Sequence, residues 1–306
     1  MVTTLTRRSA AVLNKRDNDR RPHYAASVTT PGIGRGVLRP DLAARRFELL
    51  REEPDDDLAP YVEFHWVVRW DLRGRPAHDQ RVLSHPNVHL VFERPETAVH
   101  GVNRGVYAHH LAGAGHVFGV KFRPGAFRTL LGGPVAALTD RRVPAADLFG
   151  ETVTRTERVV LGARDVAVMR RAAQDFLRGV LDGAVPDPAA REAAALVERI
   201  ASTPALLRVG QLAAESGHSV RSLQRLFAEY VGVPPKWVLR RARLHEAAAR
   251  ADSGAAVDWA ALAADLGYAD QAHLVRDFTA AVGASPGRYA AGLDAPGAGE
   301  PRAVPG

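Results

Sequence analysis

A helix-turn-helix pattern that occurs twice, 50 residues apart, constrains this chain more than any other feature of its sequence. In the first copy, residues 209–230 read VGQLAAESGHSVRSLQRLFAEY. Gly217 interrupts a short helix-favouring stretch, because glycine tolerates a positive φ, and Ser219 can cap the helix that follows. That second helix has an apolar stripe at spacings i, i+3, i+4 and i+7, formed by Leu223, Leu226, Phe227 and Tyr230.

The opposite face of the second helix carries Arg221, Gln224 and Arg225. Guanidinium and amide groups are the side chains that pair with base edges in the major groove of DNA. The pattern therefore predicts a helix, a tight turn and a reading helix. An ordinary amphipathic helix pair with a solvated basic face is the alternative, because such patterns also occur by chance.

The second copy favours the DNA-reading interpretation. Residues 263–267 (AADLG) repeat residues 213–217 (AAESG), and after the turn Arg225 corresponds to Arg276. Between the copies, residues 236–250 read as one connecting helix that begins after a Pro-Pro pair. At about 1.5 Å per residue this helix spans roughly 22 Å. With half a reading helix added at each end, two reading helices can lie about 34 Å apart, one turn of DNA.

Two units joined by one helix resemble the DNA-binding domain of AraC/XylS-type transcriptional regulators. The resemblance covers roughly 205–293 and rests on SLQRLF in the first unit and on GYADQAHLVRDF and GASPGRY in the second. Leu274, Thr279 and Ala290 depart from the family's usual residues. The resemblance implies sequence-specific binding to promoter DNA, with recognition helices at about 219–230 and 270–281.

We expect the functional side chains of this domain to fall into two sets. Base contacts are expected from Arg221, Ser222, Gln224, Arg225, Gln271, His273 and Arg276. Phosphate contacts are expected from Ser219, Lys236 and Arg240.

Composition supports this reading and excludes several other classes of protein. The net charge of +7 favours a polyanionic partner. The chain has no cysteine, which removes disulfides, thiolate zinc sites and cysteine nucleophiles. The sequence contains no run of about 18 apolar residues, so no membrane span is predicted. No catalytic arrangement stands out, and no cofactor or metal is predicted.

The rest of the chain divides into further segments, and we predict an α+β protein. Residues 1–36 form a basic arm and 294–306 a tail, both expected to be disordered. Residues 37–183 form a β-rich sensor or assembly domain with trailing helices at 126–131 and 165–181, and 143–148 as a connector. A linker at 184–189 leads to the DNA-binding domain, 190–293, with a first helix at 190–202. The predicted strands are 61–70, 81–84, 87–93, 98–102, 106–112 and 116–122.

Six short strands predict a small antiparallel sheet or barrel, a shape that can hold a small molecule. Phe64, Trp66 and Trp70 share strand parity, and we expect an effector pocket lined by them and by His85 and His89. A metal site is not expected, because two histidines four apart on one strand lie about 13 Å from each other. The segments LAPYVEFHWVVRW, VLSHPNVHLVFE, GVKFRPGAFRTLL and LTDRRV resemble an uncharacterised sensor-like module of actinobacterial regulators.

The sequence thus predicts a cytoplasmic, DNA-binding transcriptional regulator controlled by a small molecule or by dimerisation through its N-terminal domain. The partners expected are double-stranded promoter DNA, a small-molecule effector, a second copy of the chain and RNA polymerase, with no membrane. The alternative is a small-molecule binding protein whose helical domain serves protein contacts. Burial of Arg221, Gln224 and Arg225 in a subunit contact would favour that alternative.

Overall fold

The computed structural model describes residues 36–293. The predicted arm, apart from Gly36, and the predicted tail lie outside the described residues. The described chain has an N-terminal antiparallel β domain followed by a helical domain, which confirms the predicted α+β class. No helix within 36–293 is long and apolar enough to cross a membrane.

Eight strands build the β domain. They are β1 Glu48–Glu52, β2 Val62–Asp71, β3 His78–Val82, β4 His89–Phe92, β5 Ala98–His100, β6 Tyr107–Leu111, β7 Ala114–Phe122 and β8 Arg142–Pro144. Six of them form an antiparallel sheet in the order β1-β2-β7-β4-β5-β8, and β3 pairs with β6 separately. In the β2–β7 register, Trp66 lies opposite Gly119 and Trp70 lies opposite Gly115.

Side chains alternate between the two faces of the large sheet, as the pleat requires. On one face, Val67 of β2 and Phe118 and Val120 of β7 are fully buried in the main hydrophobic core. On the other face, Trp66 and Val117 line a cavity. The sheet therefore separates a packed core from an open internal space.

Helices cover the packed face. They are α2 Phe127–Leu131, α3 Ala145–Phe149, α4 Glu151–Gly162 and α5 Val166–Val180, with a 3₁₀ turn at Val135–Leu138. The short helix α1, Pro40–Ala43, packs instead through Ala43 in a separate cluster with Phe47, Leu72 and Leu111. Val160 of α4 and Met169 of α5 are fully buried against the sheet. The carboxylate of Asp165 caps α5 by accepting the backbone N–H of Ala167 at 2.9 Å.

The helical domain contains both helix-turn-helix units. Its helices are α6 Pro188–Ser202, α7 Val209–Ser216, α8 Val220–Tyr230, α9 Pro235–Asp252, α10 Trp259–Asp265, α11 Gln271–Val282 and α12 Pro286–Ala290. In both turns a glycine has the positive φ that the sequence requires, 71° at Gly217 and 70° at Gly267. Helix α9 connects the units, as predicted.

Several elements differ from the sequence expectation. Strands β1 and β8 and helices α1, α3 and α4 were not predicted, and the expected connector at 143–148 contains the end of β8 and the start of α3. Both unpredicted strands lie at the edges of the large sheet. Edge strands need no alternating apolar pattern, because one side of their backbone has no partner strand.

The two predicted domains share buried cores. Leu38 and Leu83, from the β-domain part of the chain, are buried in the core of the second helix-turn-helix unit together with Leu274 and Phe278. Val102 is buried in the core of the first unit. The two parts of the chain on either side of the predicted linker at 184–189 are therefore packed against each other through shared hydrophobic cores.

Candidate nucleic-acid interface and adjoining cavity

Helix α8 presents the predicted reading face of the first unit to solvent. Ser219 caps the helix by accepting the backbone N–H of Ser222 at 3.1 Å. Leu223 and Phe227 are fully buried, which fixes the rotation of the helix. As a result Arg221, Gln224 and Arg225 are exposed.

Ser222 is less free than the other predicted base contacts of this helix. It is half-buried, and its hydroxyl donates to the backbone oxygen of Ser219 at 2.9 Å. The hydroxyl also lies 3.3 Å from Nδ1 of His218. A base contact from Ser222 would compete with these local hydrogen bonds.

Helix α11 is the counterpart in the second unit. Asp270 caps it by accepting the backbone N–H of His273 at 2.7 Å. Gln271, His273 and Arg276 are exposed, whereas Leu274 and Phe278 are fully buried. The structure thus places the predicted base contacts of each unit on the exposed side of its second helix, with Ser222 alone half-buried.

The three predicted phosphate contacts differ in their availability. Lys236 is exposed at the start of α9. The hydroxyl of Ser219 is already used as the cap of α8. Arg240 forms an ion pair with Asp277 of α11, with Nε 3.1 Å from Oδ2, so its charge is partly neutralised.

A cavity of about 790 Å³ lies beside this domain. Its walls include Phe64, Trp66, His85 and His89 of the β domain, four of the five residues predicted for an effector pocket. Trp70 lies outside it, packed near Phe47, Leu72 and Leu111, and its indole N–H donates to the Ala112 oxygen at 3.0 Å. Parity placed Trp70 on the correct face of β2, but the strand continues beyond the cavity.

Gly119 leaves room for the Trp66 indole that forms one wall of the cavity. The indole of Trp66 lies against Gly119, where an added Cβ would meet the ring at 2.0 Å. The indole N–H donates to Nδ1 of His89 at 3.3 Å. Because an indole can only donate, neutral His89 carries its proton on Nε2. Burial lowers the pKa of His89 well below its usual value, so it is neutral at pH 7.

Some charged groups of the cavity are paired with one another, whereas Arg51 and Arg241, which also line it, form no ion pair within 36–293. Nζ of Lys121 lies 2.8 Å from Oε1 of Glu63, and burial lowers the pKa of Lys121. Oε1 of Glu93 lies 3.4 Å from Nε2 of His100 and 3.7 Å from Nη2 of Arg142. No group of three or more His, Asp or Glu residues within 36–293 is placed to hold a metal ion.

Comparison with known families decides the nature of the helical part. Residues 212–292 match a family model described as a helix-turn-helix domain. The C-terminal domain is an AraC-type helix-turn-helix domain. The chain is a DNA-binding transcriptional regulator, and this class consists of regulators and not enzymes.

The remaining comparisons extend to the β domain and to whole chains. Residues 50–144 match a family model described as a domain of unknown function, DUF6597. No curated protein matches the chain. The structure is similar to ToxT from Vibrio cholerae O395, with 9% identity, 81% of this chain and 98% of that chain covered, and a TM-score of 0.36. An apo variant of ToxT from V. cholerae strain SCE256 gives 11% identity, coverage of 81% and 94%, and a TM-score of 0.33.

Sequence reasoning missed the walls that the AraC-type domain contributes to the large cavity. Val197 and Ala201 of α6 and Val238 and His245 of α9 line it opposite the β domain. His245 stacks on His85 with ring centroids 4.0 Å apart. Only the fold brings these helices to the sheet, because these four lining residues follow the last strand of the sheet by more than 50 residues.

Proposed function

We propose that the AraC-type domain binds operator DNA in a sequence-specific manner, inserting α8 and α11 into two adjacent major-groove segments. The observation that carries this proposal is the exposure of Arg221, Gln224 and Arg225 on one face of α8. A guanidinium can donate two hydrogen bonds to guanine, and an amide can pair with adenine. The 18 residues of α9 span about 27 Å between the units, a length that allows the reading helices α8 and α11 to lie one DNA turn apart.

Charge supports a larger role for the first unit. Arg221 and Arg225 form no ion pair within 36–293, so both cations are available to DNA. In the second unit, Asp277 pairs with Arg240, and Asp270 serves as a helix cap. The second unit then adds specificity or contacts RNA polymerase, and phosphate affinity comes mainly from the first.

Base reading by Arg225 is the direct test. Arg225→Ala should weaken binding to the operator by about 1–3 kcal/mol and relax the preference at one base pair. Arg250→Ala, at the far end of α9, is the matched control and should leave base preference unchanged. Genome-wide mapping of bound DNA supplies the operator for both measurements. Equal loss of affinity on operator and random DNA would make Arg225 a phosphate contact instead.

We further propose that a small-molecule effector occupies the large cavity and controls DNA binding. The support is the composition of its walls, since Trp66 and His89 come from the sheet whereas Val238 and His245 come from the connecting helix. A ligand that touches both sides shifts the equilibrium between arrangements of sheet and helix that it contacts differently. Regulation of this kind acts on the bacterial chromosome, in the cytoplasm.

A cavity-filling substitution tests the effector proposal. Val91 lines the cavity from β4, and Val91→Trp adds side-chain volume there. A reporter driven by a mapped promoter should lose its response to growth conditions, while the purified variant keeps its operator affinity. A retained response would place the control elsewhere, and sedimentation of the full chain would then show whether dimerisation provides it.

A further inference from the structure

A smaller cavity, of about 360 Å³, lies where the β domain, the connecting helix α9 and the second reading helix α11 meet. The β domain contributes Arg104 and Asp140 to its walls, and α9 contributes Trp237, Arg240 and Arg241. Helix α11 closes it with alanines from its last turn. Three guanidinium groups therefore surround a space that is separate from the predicted base-reading faces.

Arg241 is the unusual member of this group. Its exposed fraction is 3%. Its guanidinium carbon lies 4.5 Å from the centre of the Trp237 ring, and Nη2 donates to the backbone oxygen of Arg104 at 2.8 Å. Its Nη1 is buried and has no hydrogen-bond partner within the described residues.

The carboxylates near Arg241 are occupied by other cations. Asp140 accepts from Nε of Arg104 at 2.6 Å, and Asp277 pairs with Arg240 at 3.1 Å. Burial and the nearby charge of Arg240 lower the pKa of Arg241 to about 10, against the attraction of Asp140, so the group is protonated at neutral pH. A buried charge without a matched partner is costly to the folded state, and an anion would remove that cost.

We propose that this junction cavity binds a small oxyanion, either phosphate or a carboxylate, through the guanidinium of Arg241. A guanidinium offers parallel N–H donors whose geometry matches the oxygens of both anions. Arg241 is not a contact for the DNA backbone, because a side chain with 3% exposure lies beyond the reach of a phosphate on the duplex; Arg240 of the same cavity is a predicted phosphate contact. The bound anion would lie between Arg104 of the β domain and the arginines of α9.

Thermal unfolding and calorimetric titration of the full chain without DNA test this proposal. Potassium phosphate and potassium acetate are compared with potassium chloride at equal ionic strength and at pH 7. At least one of the two oxyanions should raise the Tm of the wild-type protein relative to chloride. Arg241→Met keeps an unbranched stem over Trp237 and should lower the affinity for that anion by about tenfold or more. The two salts also distinguish a phosphate site from a carboxylate site.

Two further variants separate binding from general stability. Arg250→Met removes a guanidinium from the same helix outside the cavity and should keep the full response to the anion. Arg241→Lys keeps the charge but loses the paired donors, and it should bind more weakly than the wild type and more tightly than Arg241→Met. The proposal is wrong if neither oxyanion stabilises the wild type beyond chloride, or if Arg241→Met responds as strongly as the wild type. Neither result depends on DNA binding. Because Arg241 and Asp140 also line the large cavity, Val91→Trp, which fills that cavity alone, should keep the response to the anion, and a lost response would place the anion in the large cavity.

Discussion

At the scale of single residues, Asp252 links the end of α9 to α12. Its carboxylate accepts the hydroxyl of Tyr289 at 2.8 Å, and that hydroxyl accepts the backbone N–H of Arg39 at 2.9 Å. Burial raises the pKa of Asp252 to about 6, opposed by the Tyr289 hydrogen bond and Arg39 and reinforced by Asp41. The folded protein therefore binds this proton more tightly than the unfolded chain, whose pKa is about 3.9.

The raised pKa of Asp252 makes the folded protein less stable as the pH rises. The stabilising effect of the bound proton is fully present below about pH 4 and is lost as the pH rises through about 6. Asp252→Asn keeps an acceptor for Tyr289 without the charge, so it should lack this loss and be about 1 kcal/mol more stable than wild type at pH 8, after allowance for solvent screening. Urea denaturation at pH 5 and pH 8 measures the difference in the free energy of unfolding between the variant and the wild type, with Asp265→Asn at an exposed position as the control. An unchanged pH dependence in Asp252→Asn would contradict the assignment.

At the scale of elements, strand β7 is built around two glycines that face tryptophans of β2. Gly119→Ala places a Cβ 2.0–2.4 Å from the indole of Trp66, so the ring must move into the large cavity. We expect a loss of about 1–3 kcal/mol in the free energy of unfolding. Gly179→Ala, in helix α5 with no atom near the added Cβ, should instead stabilise by about 0.5–1 kcal/mol. Denaturant titration of both variants checks the pair, and equal effects would show that Gly119 has no special fit.

The two reading helices should also differ in their contribution to DNA affinity. Arg225 of α8 has no acidic partner in the described chain, whereas α11 carries the Asp277 that engages Arg240. Because phosphate contacts release counterions, we expect Arg225→Ala to lose far more operator affinity than Arg276→Ala, measured as a function of salt concentration. Equal losses of affinity would show that α8 and α11 contribute alike, and a larger loss for Arg276→Ala would show that α11 contributes more.

The sequence was most informative where periodicity and turn chemistry agree. Helices α8 and α11 begin within one residue of the predicted starts, because Ser219 and Asp270 are recognisable caps and Gly217 and Gly267 are recognisable turns. The face of β2 was also predictable from parity, which brought Phe64 and Trp66 to the cavity.

What the sequence could not show depends on contacts between distant segments. Helical residues such as His245 enter the cavity wall only because the two domains pack together. Arg241 looked like one more cation of a basic helix, and only the structure shows that it is buried and donates to the backbone oxygen of Arg104 in the β domain. The KWVLRRAR segment does carry one usable signal, since Trp237 and Arg241 are one turn apart and can stack.

At the scale of the whole molecule, the β domain completes the core of the second helix-turn-helix unit. Leu83 is fully buried beside Leu274 and Phe278. Leu83→Ala should cost about 2–5 kcal/mol and increase amide exchange in α10 and α11, although the substitution lies in the other domain. Leu90→Ala removes a fully buried leucine from the sheet core and should leave those amides less affected. Amide hydrogen exchange measured by mass spectrometry tests this prediction. Unchanged exchange rates of α10 and α11 in Leu83→Ala would show that the two domains are stable independently of each other.

The hydrogen bond from the backbone of Arg39 to Tyr289 joins residues 250 positions apart. Arg39 is therefore synthesised long before Tyr289, and most of the buried core that Leu38 joins comes from α9 and the second unit, which follow later in the chain. Because closing such a long loop is slow compared with forming a local helix pair, the first unit should gain its structure before the second. The second reading helix is then the part of the molecule whose maturation waits for the whole chain.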